Sequence, residues 1–345
     1  MSEKMKAHVL YGPDNLKFEE VSVPKPQEGW VLVKVENAGI CGSDIARIFT
    51  TGAHRHPLIP GHEFSGRVAD ANGNDDWQGK RVGIFPLIPC MKCDCCRAKK
   101  YEMCKAYNYL GSRCDGGFAE YVAVPVRNLL ELPESVTFEQ AAMLEPMAVA
   151  MHAIRQIKPG QSAVVCGLGT IGLLVIMLLK AMGVEAVYAI GRKRGQLEKA
   201  GELGAIAFTR NEFIEQGLTA DYFFECVGKN ETIRDAIDFA APGGRICLVG
   251  NPASDMAFDK DTYWKILRKQ LTLKGTWNSS YMSDEVETGD NPDDWHMVIK
   301  LIEEGRIHPE KLITHRLKLC DLMHGLLIMR DKTEEYIKIM VESGK

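Results

Sequence analysis

The chain has no apolar run long enough to cross a bilayer. The longest, 171–179, falls far short of the roughly 20 residues a spanning helix needs. It also has no excess of positive charge. Lys and Arg number 42 against 46 Asp and Glu, a formal net charge of −4, whereas a nucleic-acid binder usually shows a basic stripe. The opening residues Met1-Ser2-Glu3-Lys4-Met5-Lys6 contain no apolar core ahead of a small-residue cleavage site, so no secretory signal is expected. There is no internal repeat and no low-complexity tract. These absences lead us to expect a cytoplasmic globular protein with neither nucleic acid nor membrane as partner.

What is present sets the scale. The 345 residues, 46% hydrophobic and 26% charged, suffice for two ordinary domains. Eleven cysteines would mean disulfides in a small secreted domain. In a large chain without a secretory signal, their clustering favours metal ligation, with the scattered ones as small core residues. Up to about residue 145, β signals dominate. Alternating apolar residues predict strands over 5–11, 30–35 and 118–124, punctuated by Gly12-Pro13, Pro24, Pro26 and Gly29. Short strands with frequent turns suit a barrel-like β domain. Pro146 can open a helix, because its missing N–H costs nothing in the first turn. Beyond it, strand signals over 162–166, 186–190, 221–226, 245–249 and 271–274 alternate with helix signals over 170–182, 193–203, 231–240 and 262–269. That rhythm predicts a doubly wound parallel sheet, so the fold class is α/β plus β. The polar, acidic stretch 283–294 reads as a surface link. Helices over 295–304 and 322–329 and a strand over 336–341 follow. A tail this short is expected to pack back on the β-rich segment.

Three clusters carry chemistry. Cys41-Gly42-Ser43-Asp44 and Gly61-His62-Glu63 offer a thiolate, an imidazole and a carboxylate, ligand types that zinc takes. Only a folded domain can bring positions so far apart together. Cys90, Cys93, Cys96 and Cys104 have the spacing C-x2-C-x2-C-x7-C. Four such thiolates can close round one tetrahedral zinc and leave no place for water, which makes a structural site. Iron–sulfur ligation is the rival, and Cys95 is a spare thiol within the run. The lobe could also be a zinc ribbon that binds nucleic acid or protein.

The third cluster, Gly167-Leu168-Gly169-Thr170-Ile171-Gly172, follows an apolar strand and opens an apolar helix. In that setting it reads as a dinucleotide site. Gly167 permits the turn, Gly169 lets the backbone approach a pyrophosphate, and Gly172 lets helix and strand pack closely. The start of the helix, at Thr170 and Ile171, offers free N–H groups to the phosphates. The acid that would bind the ribose, expected about 20 residues on, is missing. The second strand ends instead in Gly191-Arg192-Lys193-Arg194. A glycine leaves room for a 2′-phosphate and Arg192, Lys193 or Arg194 can grip it, which favours NADP over NAD. The plainer alternative is a solvated basic helix start.

Together these motifs resemble the zinc-dependent medium-chain dehydrogenase family over nearly the whole chain. Gly39-Ile40 before Cys41, Asp115-Gly116-Gly117-Phe118-Ala119-Glu120-Tyr121 and Leu144-Glu145-Pro146 add to the likeness. Within the family, the polyol dehydrogenase branch is most similar. Arg47-Ile48-Phe49, Gly52-Ala53-His54, Leu110-Gly111-Ser112-Arg113 and Gly275-Thr276-Trp277-Asn278 resemble the galactitol-1-phosphate 5-dehydrogenases. The resemblance implies a GroES-like β-barrel catalytic domain over 1–146, bearing the cysteine lobe. A Rossmann domain is inserted over 147–280, and 281–345 returns to the catalytic domain, in a homodimer or homotetramer.

It further implies two zinc ions per chain. The catalytic one would rest on Cys41, His62 and Glu145, with Glu63 beside them or exchanging with Glu145. Asp44 would accept a hydrogen bond from His62 and fix its tautomer. Ser43 would relay the proton; the next relay position, a histidine in some alcohol dehydrogenases, is Ala46 here. The implied reaction moves a hydride between NAD(P) and a secondary hydroxyl of a polyol or polyol phosphate. Phe49, His54, Arg113, Trp277 and Asn278 are the substrate candidates, and Arg113, Lys265 and Arg268 are the cations available to a phosphate. An L-threonine-type or secondary-alcohol dehydrogenase is the alternative within the family. One departure stands out: many polyol enzymes carry Asp at the position of Gly191.

Overall fold

A computed structural model describes residues 3–158, 160–252, 254–283 and 292–343. The chain divides into two units, Met1–Glu145 with Ser280–Lys345, and Pro146–Ser279.

In the first unit the period-2 pattern decides the architecture. Strand Trp30–Ile40 turns Val31, Val33 and Val35 into the core and leaves Lys34 exposed. It lies at the centre of a seven-stranded, largely antiparallel sheet. The order is Ile313–Lys318, Lys338–Glu342, Trp30–Ile40, Glu63–Asp70, Arg81–Ile84, Leu129–Glu131, with Tyr121–Pro125 beside the first half of Trp30–Ile40. The central strand outruns the predicted 30–35 because the tail strand pairs with its second half, Ile339 opposite Ile40 and Glu342 opposite Asn37. A partner from the far end of the chain thus supplies the ladder that propensity alone does not indicate. Residues 118–120, by contrast, do not extend Tyr121–Pro125. The backbone of Phe118 is taken up by Pro60 and His8 while its ring is fully buried. The core joins Val33, Phe64, Val68, Ile84, Leu326 and Ile339, and each such side chain contributes about 1.5–3 kcal/mol by leaving water.

The tail adds helices Asp294–Glu303 and Leu322–Asp331 and the strand Ile313–Lys318, which was not predicted because its exposed positions are strongly polar. Asp293 caps the first of these helices by accepting from His296 N at 2.9 Å. Most of the proposed link 283–294 lies outside the described residues.

In the second unit every strand of a six-stranded sheet is parallel. The order is Ile206–Phe208, Val187–Ile190, Ala163–Cys166, Ala220–Glu225, Ala240–Leu248, Thr272–Gly275. Ala163–Cys166 is wholly buried, as a strand covered on both faces must be. The strand order reverses at this strand, and doubly wound sheets bind ligands beyond the carboxyl ends at such a point. Helix Thr170–Ala181 follows it and buries 173–179. Strand Ile206–Phe208 escaped the sequence reading because three residues show no period. Helix Arg210–Gln216 escaped it too, although the Thr209 and Glu212 capping box is a legible start signal. Among the described residues no helix is long and apolar enough to cross a membrane.

Candidate functional site

The antiparallel register builds the first cluster. Gly39 lies opposite Glu63, so Cys41, just past one strand, meets His62 and Glu63 at the start of the next. Their donor atoms all lie within 4.8 Å of one another. Cys41 also precedes the short helix Gly42–Ala46. Ser43 Oγ donates to Cys41 Sγ at 3.3 Å. Asp44 is fully buried; it accepts from Cys41 N at 3.0 Å and forms an ion pair with Arg47. His62 Nδ1 faces Asp44 Oδ1 at 3.4 Å, although the approach is too skewed for a hydrogen bond and leaves that buried nitrogen without an aligned partner.

The electrostatics call for a cation. Burial alone would lower the His62 imidazole, but Asp44 and the Cys41 sulfur hold it well above its ordinary value. A proton there takes the place a metal's charge would fill. Burial would raise Asp44, yet His62, Arg47 and the Cys41 amide together hold it below the usual range. A buried nitrogen, a sulfur and a carboxylate oxygen converging on one point fit a zinc ion.

Glu145 opens helix Leu144–Ile154. It is not in the mutual 4.8 Å set. Tyr109 donates to its Oε1 at 3.0 Å, and the Tyr109 ring centroid lies 5.9 Å from that of His62. Burial, against the opposing pull of His62 and with the charge of Glu63 nearby, pushes the Glu145 carboxyl up to about 7. Both carboxylates thus stand close enough to His62 to feel its charge or share its cluster, each with its own partner. For Glu63 the partner is Lys338, whose Nζ contacts Glu63 Oε2 and donates to Ile40 O at 3.0 Å. Both side chains are 2% exposed. Gly39 makes room for this pair, since a Cβ there would lie 2.5 Å from Glu63 Oε2 and 2.7 Å from Lys338 Cε. Sequence reading missed both Lys338 and Tyr109. A lysine opening a tail strand carries no signal of burial, and Tyr109 looks like any aromatic in a loop.

The cysteine lobe is built locally. Helix Asp94–Arg97 carries Cys96, and the turn Tyr101–Met103 delivers Cys104. The sulfurs of Cys90, Cys93, Cys96 and Cys104 form one set, with Cys93 to Cys96 at 3.5 Å and Cys90 to Cys96 and Cys93 to Cys104 at 3.9 Å. Two sulfurs on one tetrahedral zinc lie about 3.8 Å apart, from a Zn–S length of about 2.3 Å. A multi-iron cluster, with several irons and bridging sulfides inside, would hold them wider. Backbone N–H groups near Lys105 and Cys96 lower the Cys93 thiol to about 6, whereas burial and the neighbouring sulfurs push Cys96 up to about 12, so the four thiols do not shift in one direction. Cys95 is outside the set.

The three glycines of the fingerprint have different surroundings. Gly167 adopts φ +95°, and a Cβ there would press on Val227 at 2.5 Å. A Cβ at Gly172 would come within 1.9 Å of Gly167 O, whereas around Gly169 there is open space for a ligand to approach. Thr170 and Ile171 open the helix with Gly169 as its cap. Gly191 behaves differently from the expectation of free room: it is buried, and its missing Cβ is replaced by Leu168 Cδ1 at 2.6 Å. Arg192 is exposed. Lys193 precedes helix Arg194–Glu202 without a side-chain capping bond, and Arg194 pairs with Glu198 at 2.7 Å.

The substrate candidates scatter. Phe49 packs against the first unit's core with the Arg330 guanidinium over its ring at 4.6 Å. His54 is exposed. Arg113 lies over the Tyr107 ring at 4.7 Å. Trp277, 61% exposed, and Asn278 belong to the second unit. Of the remaining cations, Lys265 pairs with Asp238 and Arg268 lies over Trp264.

Two family profiles match the chain: "Alcohol dehydrogenase GroES-like domain" over residues 27–134 and "Zinc-binding dehydrogenase" over residues 170–304. A galactitol 1-phosphate 5-dehydrogenase of Escherichia coli (strain K12) is 36% identical over 302 residues, 83% of this chain and 85% of that protein. An L-threonine 3-dehydrogenase of Bacillus licheniformis is 30% identical over 347 residues, 96% of this chain and 97% of that protein. Among solved structures, a zinc-binding dehydrogenase from Sinorhizobium meliloti 1021 bound to NADP superposes with a TM-score of 0.88 at 26% identity, covering 99% of this chain and all of that one.

Proposed function

The chain belongs to the zinc-dependent medium-chain dehydrogenases, enzymes that use NAD(P) on alcohols and polyols, and on that premise we propose that it oxidises a secondary hydroxyl of a polyol or polyol phosphate. The observation that carries this reading is the convergence of Cys41, His62 and Glu63 within 4.8 Å, with the part-buried Glu145 carboxyl held nearby by Tyr109. Cys41, His62 and Glu145 are proposed as the catalytic zinc ligands, with Glu63 exchanging or adjacent, and Cys90, Cys93, Cys96 and Cys104 as the ligands of a structural zinc. The first unit is proposed as the catalytic domain, and the second, with Gly167, Gly169 and Gly172, as the domain that binds NAD(P).

A zinc ion held there would polarise the substrate oxygen and favour loss of its proton, while NAD(P) supplies the hydride acceptor. The chain's own groups do the rest. Ser43, whose hydroxyl touches Cys41 Sγ, is placed to take up the proton and pass it on. Asp44 faces His62 as its charge partner, and His62 and Arg47 together keep Asp44 charged. Lys338 neutralises Glu63, and Tyr109 fixes Glu145. The missing ribose acid and the cation at Arg192 support NADP as the preferred cofactor. A homodimer or homotetramer is proposed as well. Support comes from the open edge strand Thr272–Gly275 and the exposed Tyr263, Trp264 and Leu267 on the neighbouring helix Lys260–Lys269, which are surfaces a lone protomer leaves unprotected.

The test is a substrate panel on the zinc-loaded protein, run with both NAD and NADP. Turnover of hexitols or their phosphates, with higher kcat/KM for NADP, is expected. Turnover of L-threonine or simple secondary alcohols alone would replace the substrate reading, and equal or better kcat/KM with NAD would remove the cofactor reading.

A further inference from the structure

Arg113 is a cation with no carboxylate of its own. Its guanidinium lies flat over the Tyr107 ring at 4.7 Å, a contact that holds the plane while leaving the N–H edge free. Among the described residues no carboxylate pairs with it, and both Asp115, two residues on, and Asp44, the partner of Arg47, are engaged elsewhere. Asp115 is taken by Arg55 at 3.3 Å and by Ile59 N at 3.0 Å. Asp44 is taken by Arg47, His62 and Cys41 N. His54 stands near Arg113, its backbone N–H donating to Ser112 O at 3.3 Å. The charges of Arg113 and Arg47, after burial, help depress its imidazole. The local balance is therefore positive and uncompensated. Arg113 is also tied to the metal site through aromatic rings. The Tyr107 ring lies 6.2 Å from that of Tyr109, and Tyr109 donates to Glu145 at 3.0 Å.

We infer that Arg113, seated on Tyr107 with His54 beside it, binds the terminal oxyanion of the substrate, a phosphate monoester on a polyol whose reacting hydroxyl lies at the Cys41–His62 site. The inference rests on the polyol reading and narrows it from free polyols to phosphorylated ones. A guanidinium edge donates two parallel N–H bonds to a phosphate, the strongest form of that contact. A carboxylate terminus, as in a sugar acid, presents the same fork, so the panel below includes an aldonate to separate the two.

The experiment compares zinc-loaded wild type with Arg113→Gln, Arg113→Lys and His54→Gln. Turnover is measured on a hexitol phosphate, the free hexitol and the corresponding aldonate. In parallel, binding of inorganic phosphate is followed by calorimetry. For Arg113→Gln we expect kcat/KM on the hexitol phosphate to fall about 10- to 100-fold, the range for a lost hydrogen bond to a charged group. The loss on the free hexitol should be much smaller, and a thermal midpoint matching wild type shows the variant is folded. Arg113→Lys should retain part of the activity, and His54→Gln should lose only a few-fold. Phosphate binding should weaken about tenfold or more in Arg113→Gln. Equal losses on phosphorylated and free hexitol, or phosphate binding indifferent to Arg113, would overturn the inference, and so would a preference for the aldonate. If wild type turns over no polyol of any kind, the polyol reading fails while the phosphate titration still decides whether Arg113 binds the anion.

Discussion

The two candidate metal centres of the first unit are built on opposite plans. The cysteine lobe draws four identical ligands from one stretch, 90–104, through one helical turn and one 3-10 turn. The Cys41 centre gathers different ligand types from strand ends at 41 and 62–63, with Glu145 at a helix start held by Tyr109 and a lysine at 338 paired with Glu63. A site made from one stretch saturates its ion with sulfur and leaves no position for chemistry. A site assembled from distant elements can place a relay, a tautomer-fixing carboxylate and a charge-balancing lysine round the ligands. On the proposed reading the first plan would hold the fold together and the second would perform the reaction, so damage to each should be read by different instruments.

The sharpest way to break that contrast is to remove one thiol from each. Cys41→Ser should abolish dehydrogenase activity and leave the thermal midpoint nearly intact. Cys96→Ser should release the lobe's metal and cost several kcal/mol, on the order of 10 °C in Tm, measured by metal analysis and calorimetry. If both variants lost stability equally, the division would fail. Next in size is Lys338→Met, which leaves Glu63 buried and charged without a partner. Breaking such a pair costs roughly 3–5 kcal/mol, and the added change Glu63→Gln should recover much of it. A double-mutant cycle by urea unfolding reads the coupling; additive effects would show that the two groups do not depend on each other. Smaller again, Asp44→Asn should lower zinc affinity at the Cys41 centre by about 10- to 100-fold and leave the lobe's metal in place, as competition with a chelator would register.

The smallest effect concerns the seat of the tail on the strand Lys4–Leu10. His8 is 2% exposed, and its Nε2 meets Leu319 O at 2.7 Å. Burial holds its imidazole below the ordinary 6.5 despite that bond. The unfolded chain therefore binds a proton that the folded one refuses. The resulting stability is present above pH 6.5 and is lost as pH falls through the lowered folded value. His8→Gln should flatten this acid limb, by about 1.4 kcal/mol for every tenfold difference in proton affinity between the folded and the unfolded chain. An unchanged slope between pH 5 and 7 would show that His8 does not link the tail to strand Lys4–Leu10.

Legibility in the sequence followed how local each feature is. The glycine fingerprint could be assigned role by role, because turn, phosphate approach and helix packing are set within six residues. The four lobe cysteines were read from spacing, and only their sulfur separations of 3.5–3.9 Å favour a single ion over an iron cluster. The parallel sheet was readable from the alternation of apolar runs, but its edge strand Ile206–Phe208 was too short to show a period. At Gly191 the motif was seen and its geometry misjudged: Leu168 fills the space a side chain would take, which depends on packing between neighbouring loops.

The sequence by itself determined the ligand types, the cysteine lobe, the cofactor fingerprint and the two kinds of sheet, since each rests on periodicity or spacing within a few turns of chain. Only the tertiary structure decided which carboxylate stands within 4.8 Å of Cys41 and His62, that Tyr109 holds the other, and that a lysine near the end of the chain is buried against Glu63. Those outcomes depend on strand register and on the tail strand pairing with Trp30–Ile40. Contacts between opposite ends of the chain leave no mark in any local pattern, because burial is a property of the assembled core and not of the residue that enters it.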